Sequence, residues 1–152
     1  MSLPYAEQLG HFWRTSSTSP DKWLDNTVKL IKGHGGKVLQ CLTGQDYETG
    51  KSAFLLLFQF GDDIFRVSWP VLPTRTKDER SAKIQAATLL HHCVKSKLME
   101  SKILGTRTAF FSYMMLPDGR TASEAAAPQI ADIFPAYKRL ESGDVIEGEY
   151  KE

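Results

Sequence analysis

The strongest hydrophobic pattern lies in two adjacent stretches near the middle of the chain. Residues 53–60 (AFLLLFQF) and 63–69 (DIFRVSW) are rich in aromatic and β-branched or long aliphatic side chains and read as strands. Only Gly61 and Asp62 separate them. So short a connection can join only antiparallel neighbours, and the pattern therefore predicts a β-hairpin.

A long amphipathic helix is predicted directly after the hairpin, over residues 77–103. Its start is marked by Thr76 and Glu79, which have the spacing of a capping box. One apolar stripe at helical spacing should pack on the hairpin; it consists of Ala82, Ala86, Leu89, Leu90 and Cys93. At 100° per residue a second set falls on roughly the opposite side: Arg80, His91, Lys95 and Lys102. We therefore expect a core face and a basic face.

The remaining elements are predicted from residues that typically start or end helices and strands. Ser19-Pro20 is typical of a helix start, and the glycines within 33–36 stop that helix before a strand at 37–43. A further strand is predicted over 108–116, and a second capping box begins at Thr121. The fold class is thus α+β, with an antiparallel or mixed sheet of three to four strands, helices packed on it and the order α-β-β-β-α-β-α. We expect one domain over 1–152, with an N-terminal arm and linker at 1–19 and an acidic flexible tail at 141–152.

Composition places the chain among ordinary globular proteins. It has 152 residues, of which 41% are hydrophobic and 24% charged, and this is enough to bury a core without disulfides or metal. Cys41 and Cys93 read as small apolar residues. The first residues lack a signal-peptide pattern, and the longest apolar run, 53–58, is too short for a membrane span. We expect a cytoplasmic protein without a membrane partner.

The charges are unevenly distributed along the chain. The formal net charge is only +1. Residues 66–107, however, carry nine Lys and Arg against three Asp and Glu, whereas residues 122–152 carry three against seven. The local excess of six positive charges indicates an anionic partner, because Lys and Arg that neutralise phosphates release condensed counterions.

Patterns that would indicate catalysis or metal binding are weak. The order α-β-β-β-α-β resembles the restriction-endonuclease-like core, which holds Mg²⁺ with an Asp and a Glu-x-Lys pair. Asp62 and Asp63 are available, but the strand after them has no carboxylate two residues before a lysine. His91 and His92 are adjacent on a helix and point about 100° apart, so they do not share an ion readily. We predict no catalytic residue, metal site or cofactor, and keep a degenerate nuclease as a third hypothesis.

The helix start carries a resemblance to a known family. The stretch RSAKIQAATLL, residues 80–90, has a basic residue, an Ala-Lys pair and a later Ala-Ala. In this, and in the α-β-β-β-α order, the chain resembles a double-stranded RNA-binding domain. The resemblance implies that Arg80 and Lys83 contact phosphates across a groove.

A second resemblance covers the end of the same helix. Residues 85–105 combine alanines, late lysines and a closing Leu104-Gly105. This is similar to the helix of Rad52-like single-strand annealing proteins, whose β-β-β-α core holds single-stranded DNA in a basic groove. Each resemblance spans about half of the chain, and the two imply different nucleic acids.

The sequence therefore predicts a non-catalytic nucleic-acid-binding domain. DNA or RNA is the expected partner, and the predicted binding residues are Arg66, Arg75, Lys77, Arg80, Lys83, Lys95 and Lys102. The alternative is a protein-interaction module or homo-oligomer. It would use an aromatic patch made of Phe110, Phe111, Tyr113, Met114 and Met115.

Overall fold

The computed structural model describes residues 3–9, 18–46 and 48–127. Three antiparallel strands form one sheet in the order β1-β2-β3, so the hairpin prediction is confirmed. The fold is α+β, with α1 packed over β1 and α2 over β3 on one face of the sheet. The helices and strands are α1 (Pro20–Gly33), β1 (Lys37–Gln45), β2 (Ser52–Phe60), β3 (Asp63–Val71), α2 (Glu79–Leu104), α3 (Thr106–Ala109) and α4 (Ala122–Ala126).

Helix α1 begins and ends close to the positions that the sequence predicted. The Ser19 hydroxyl accepts a hydrogen bond from the Lys22 amide, and Pro20 occupies the first turn, where its missing N–H costs nothing. Gly35 follows the helix with φ of +89°, a conformation that few residues other than glycine adopt. These local features also set the direction in which β1 leaves the helix.

The core lies between the helices and one face of the sheet. Alternate residues of a strand point to opposite faces, so Phe54, Leu56 and Phe58 of β2 meet Phe65 and Val67 of β3 beneath the helices. Phe58 and Phe65 stack with their ring centres 5.5 Å apart. Arg66, between Phe65 and Val67, therefore belongs to the other face of the sheet.

Helix α2 is enclosed differently along its length. Five consecutive residues, 84–88, are all buried, whereas from residue 90 onward the fully buried positions are Leu90, Val94 and Leu98. The predicted stripe is thus partly wrong, since Leu89 and Cys93 are only half-buried. Burial raises the pKa of the Cys93 thiol, as expected for a cysteine that serves as a small apolar residue.

The start of α2 also differs from the predicted capping box. Asp78 is the N-cap, and its carboxylate accepts hydrogen bonds from the amide and the hydroxyl of Ser81. Thr76 instead donates its hydroxyl to Glu7, a residue 69 positions earlier. A contact over that separation leaves no trace in the local sequence pattern.

The predicted strand at 108–116 is wrong. Gly105, with φ of +90°, ends α2, and the chain then forms the short helix α3 and a 3-10 turn at Phe111–Tyr113. Phe110 is buried against Phe58 and Phe65, at centroid distances of 5.1 and 5.6 Å. The aromatic part of the run therefore closes the core and does not form a fourth strand; contact with the edge strand β3 is limited to Met114 and Met115.

After this turn the chain runs back along β3 and covers part of the sheet's other face. Met114 forms an isolated bridge to Phe65, and Met115 forms one to Thr121. Thr121 and Glu124 make the predicted capping box at the start of α4, which is confirmed. Of the predicted arm and linker, residues 10–17 lie outside the described part of the chain, as does the predicted tail at 141–152.

Candidate functional site

A pocket of about 530 Å³ opens at one end of the molecule, where the β1–β2 turn, the last residue of β3 and the first turns of α2 meet. We call this region the pocket end. Lys51, Lys77 and Lys83 line the pocket, together with one carboxylate, Glu79. The remaining wall includes apolar side chains, namely Leu3, Val71, Leu72, Pro73 and Ala82. A concave site with an apolar wall and a few converging polar groups is the usual form of a ligand pocket.

The β1–β2 turn is held in shape by Asp46. This residue is 3% exposed, and its carboxylate accepts a hydrogen bond from the Glu48 amide. Its backbone N–H and C=O also bond to Lys51 and Gly50 across the turn. Gly50 has φ of +73°, so the tight turn depends on a glycine there. The turn thereby presents Lys51 to the pocket from a fixed backbone.

The N-terminal segment closes the pocket on another side. Glu7 accepts hydrogen bonds from the amides of Arg75 and Thr76, all at 3.1 Å, and from the Thr76 hydroxyl at 2.8 Å. The Thr76 hydroxyl, followed by these amides, lowers the pKa of Glu7 from about 4.5 to about 2. Ala6 donates its amide to the Pro73 carbonyl, and the Arg75 guanidinium lies 4.7 Å from the centre of the Tyr5 ring. These contacts hold residues 3–9 against the loop before α2, and we call this attachment the strap.

Lys77 lies in this loop with φ of +62°. A residue with a Cβ in the left-handed region costs roughly 1–2 kcal/mol. Backbone strain of this kind tends to occur at functional sites, where the surrounding contacts hold it in place. The loop therefore keeps an exposed lysine beside the pocket at some cost in stability.

Four of the seven predicted binding residues lie at the pocket end. Lys77 and Lys83 line the pocket, while Arg75 and Arg80 are exposed and follow the lining residues Thr74 and Glu79 in sequence. Among the residues that the structure describes, no carboxylate pairs with these four side chains or with Lys51. The site thus combines a basic rim with an apolar interior.

Lys95 and Lys102 are not part of this cluster. Both are exposed on α2, but at a rise of 1.5 Å per residue Lys95 is about 22 Å along the axis from Arg80, and Lys102 is farther still. The basic face predicted from helical periodicity is therefore not one continuous surface.

Arg66 is a correction to the predicted set. Its side chain is 4% exposed and pairs with Glu124 of α4, while also donating to the Gly119 carbonyl at 3.3 Å. The segment from Met114 to α4 covers it on the sheet face away from the helices. Arg66 is therefore a structural residue and is left out of the candidate site.

His91 was predicted on the basic face and instead packs against α1. Its Nδ1 lies 3.1 Å from the Thr27 hydroxyl, and its ring centre is 5.1 Å from that of Trp23. Burial, followed by the positive charges of His92 and Lys95, lowers its pKa. Its contacts with Thr27 and Trp23 show that His91 contributes to the packing of α2 on α1.

The arginines at the opposite end of the molecule are paired. We call this region, made of the start of β3, the last turns of α2 and residues 105–127, the closing end. Arg107 makes two hydrogen bonds to Asp63, at 2.9 and 3.0 Å, and Arg120 pairs with Asp118 at 2.8 Å. The hydrogen bond from Arg107 lowers the pKa of Asp63. Asp63, one of the carboxylates considered for a nuclease, is thus bound to an arginine.

The sequence pattern missed two residues of the site. Lys51 lies 26 positions before Lys77, the nearest predicted site residue that lines the pocket, and only the fold brings the two together. Glu7 was overlooked because its partners are 68 and 69 positions away. For Lys51 the one available signal was the turn at residues 46–51, in which the lysine directly follows Gly50.

Comparisons of the chain with protein-family models, curated proteins and solved structures gave no match. Over residues 3–9, 18–46 and 48–127, three or more His, Cys, Asp or Glu side chains nowhere converge as metal ligands would. In the same ranges, no helix combines the length and the apolar character that crossing a membrane requires.

Proposed function

We propose that this protein binds nucleic acid without catalysis, and that the pocket end holds the phosphate backbone. The observation that carries the proposal is a set of five basic residues at one end of the molecule, three lining the pocket and two next to lining residues in sequence, none of them paired with a carboxylate within the described residues. They are Lys51, Arg75, Lys77, Arg80 and Lys83. Compared with the residues predicted from the sequence, this set omits Arg66, Lys95 and Lys102 and adds Lys51.

Electrostatics supports a polyanion as the partner. The three lining lysines and Glu79 give the pocket a formal charge of +2, and Arg75 and Arg80 add two more charges beside it, in a protein of net +1. Arginine and lysine on an exposed rim neutralise phosphates and release counterions, which gives strong binding at low salt with little sequence preference. The strained Lys77 backbone fits a residue kept for binding.

The test is a fluorescence-anisotropy titration with labelled single-stranded DNA, duplex DNA and duplex RNA at several salt concentrations. Five neutralised phosphates give an expected slope of log K against log salt of about −4.5 on duplex and about −3.5 on single strands. Preference for duplex RNA would favour the resemblance to double-stranded RNA-binding domains. Preference for single strands would favour the annealing-protein resemblance.

Two matched charge-reversal variants locate the surface. Lys77→Glu with Lys83→Glu removes two cations from the pocket end, and Lys95→Glu with Lys102→Glu makes the same change of charge elsewhere on the chain. The first pair should weaken binding strongly and reduce the salt slope by about 2, because two phosphate contacts are lost. Equal losses in both variants, or no binding to any of the three nucleic acids at about 50 mM salt, would contradict the proposal.

A second candidate function, self-association or binding of a protein partner, has one supporting observation. Apolar side chains are exposed around the C-terminal end of α2: Met99 at 57%, Ile103 at 83%, Leu104 at 54% and Phe111 at 54%. The aromatic patch predicted from the sequence is otherwise largely inside, since Phe110 is 1% exposed and Tyr113, Met114 and Met115 are half-buried. Multi-angle light scattering of the wild type and of Ile103→Lys tests self-association. The expected result is a concentration-dependent dimer in the wild type that the variant does not form.

A further inference from the structure

The pocket has a size and a polarity that an extended phosphate backbone alone does not use. Its volume of about 530 Å³ lies within the range of small-molecule sites, roughly 300–1,000 Å³. Val71, Leu72 and Ala82 contribute an apolar wall, and Gln45 and Ser52 bring polar groups from the sheet side. A surface that only neutralised phosphates along a strand would need neither depth nor an apolar wall.

The charge inside the pocket matches one kind of phosphate. Lys51, Lys77 and Lys83 against Glu79 leave a formal charge of +2. A phosphodiester carries one negative charge per phosphate. A phosphomonoester carries between about −1.5 and −2 at pH 7, because its second pKa is about 6. The pocket charge is therefore balanced by one monoester, not by one diester.

We propose that this pocket binds a nucleotide phosphomonoester, with the phosphate between the lysines and the nucleoside against the apolar wall. Such a group occurs on a free nucleoside monophosphate and on the phosphorylated end of a strand, and the pocket chemistry is the same for both. The strand-end form rests on the function proposed above, whereas the free nucleotide does not. The lysines approach from different elements, Lys51 from the β1–β2 turn and Lys83 from α2, and can thus contact one phosphate from two sides.

The experiment is a calorimetric titration of the full chain with AMP, adenosine and inorganic phosphate, each used separately. AMP should bind more tightly than either part, because only AMP uses both the lysines and the apolar wall. Lys51→Ala and Lys83→Ala should each weaken AMP binding by about tenfold, as expected for loss of one charge-assisted contact. Lys95→Ala is the matched control and should change the affinity less than twofold.

A second arm distinguishes the two sources. An oligonucleotide with a 5′-phosphate is titrated beside the same oligonucleotide with a 5′-hydroxyl, and AMP is used as competitor. A preference for the phosphorylated end that AMP abolishes supports a strand end, and AMP binding without such a preference supports a free nucleotide.

The outcomes separate this inference from the function proposed above. Oligonucleotide binding that ignores the 5′-phosphate, with no AMP binding detectable at 1 mM (about −4.1 kcal/mol), overturns the pocket assignment and leaves backbone binding intact. AMP binding that Lys51→Ala and Lys83→Ala leave unchanged also overturns it. AMP binding lost in those variants, without binding of any strand, supports the pocket and overturns nucleic-acid binding alone.

Discussion

The basic side chains at the two ends of the molecule differ in whether they pair with carboxylates. At the closing end each of three arginines has a carboxylate partner: Arg66 with Glu124, Arg107 with Asp63 and Arg120 with Asp118. At the pocket end three lysines and one carboxylate, Glu79, line a cavity, with Arg75 and Arg80 next to lining residues in sequence, and no ion pair involves these five basic residues within the described part of the chain. Local charge excess alone therefore does not mark a binding surface, because part of the positive charge is paired with carboxylates within the fold.

Helix α2 connects the two ends and is held differently at each. Near the pocket end it is buried on all sides over residues 84–88, with the Gln85 amide donating to the Ala6 carbonyl at 3.0 Å. Toward the closing end it buries a single stripe and leaves Met99 and Ile103 exposed.

The largest effect is expected from truncating the buried stripe near the closing end. Leu98 is fully buried, and Leu98→Ala should lower the free energy of unfolding by about 2–5 kcal/mol, through lost burial and a cavity. Its neighbour Met99 is 57% exposed, so Met99→Ala should stay within about 0.5 kcal/mol. Urea denaturation followed by tryptophan fluorescence measures both. Similar losses for the two variants would contradict the single-stripe packing.

The next effect concerns the paired arginines. Glu124→Ala removes the carboxylate that pairs with the buried Arg66 guanidinium and should cost about 3 kcal/mol, as for other broken buried pairs. Asp63→Ala removes the carboxylate partner of Arg107, which is 67% exposed, and should cost about 0–1 kcal/mol. Urea unfolding of the two variants at one salt concentration gives the comparison. A Glu124→Ala cost no greater than that of Asp63→Ala would show that the closing end does not depend on its buried pair.

A smaller effect of opposite sign is expected at the pocket end. Lys77→Gly relieves the strain of φ at +62° and should raise the free energy of unfolding by about 0.5 kcal/mol, while nucleic-acid affinity falls with the lost charge. Lys77→Ala is the control, because it removes the same charge and keeps the strain. Thermal unfolding and anisotropy are measured on both variants. Equal stability of the two would remove the argument that this backbone is strained.

The smallest effect is local and depends on pH. The folded-state pKa of Glu7, about 2, is below its ordinary value of about 4.5. Its contribution is therefore fully present above pH 4.5 and is lost as the pH falls from 4.5 toward 2. Glu7→Gln should speed amide hydrogen exchange at Arg75 and Thr76 at pH 6, with exchange at Leu90 unchanged. Wild-type protection of these two amides should weaken over the same range of falling pH, and unchanged exchange in the variant would argue against the strap.

Local patterns predicted much of the fold. The hairpin, the Ser19 cap of α1 and the Thr121 capping box of α4 each depend on residues within a few positions of one another, and each was predicted correctly. The strand at 108–116 was not, because an aromatic run that closes a core has the same composition as a buried strand. Periodicity identified α2, but it could not show that His91 would pack against α1.

The candidate site was predictable only in part, for a related reason. Arg75, Lys77, Arg80 and Lys83 lie within nine positions and show as a charge cluster. Arg66 belongs to the same cluster in sequence, but its partner is 58 positions away, and strand alternation turns it to the opposite sheet face. Lys51 reaches the pocket through sheet pairing, which brings Ser52 opposite Val71. Sequence proximity therefore located the charges but not their partners.

The separation of Arg66 from Glu124 also has a consequence for synthesis of the chain. At about 5–20 residues per second, the 58 positions between them take roughly 3–12 s to translate. Hairpins form in about 1–10 μs, so β2 and β3 can pair long before the carboxylate exists. For those seconds the nascent sheet lacks the cover that residues 114–126 later provide, and Arg66 remains hydrated. A charged side chain at that position adds a hydrated group to an otherwise largely apolar face, which disfavours association between unfinished chains.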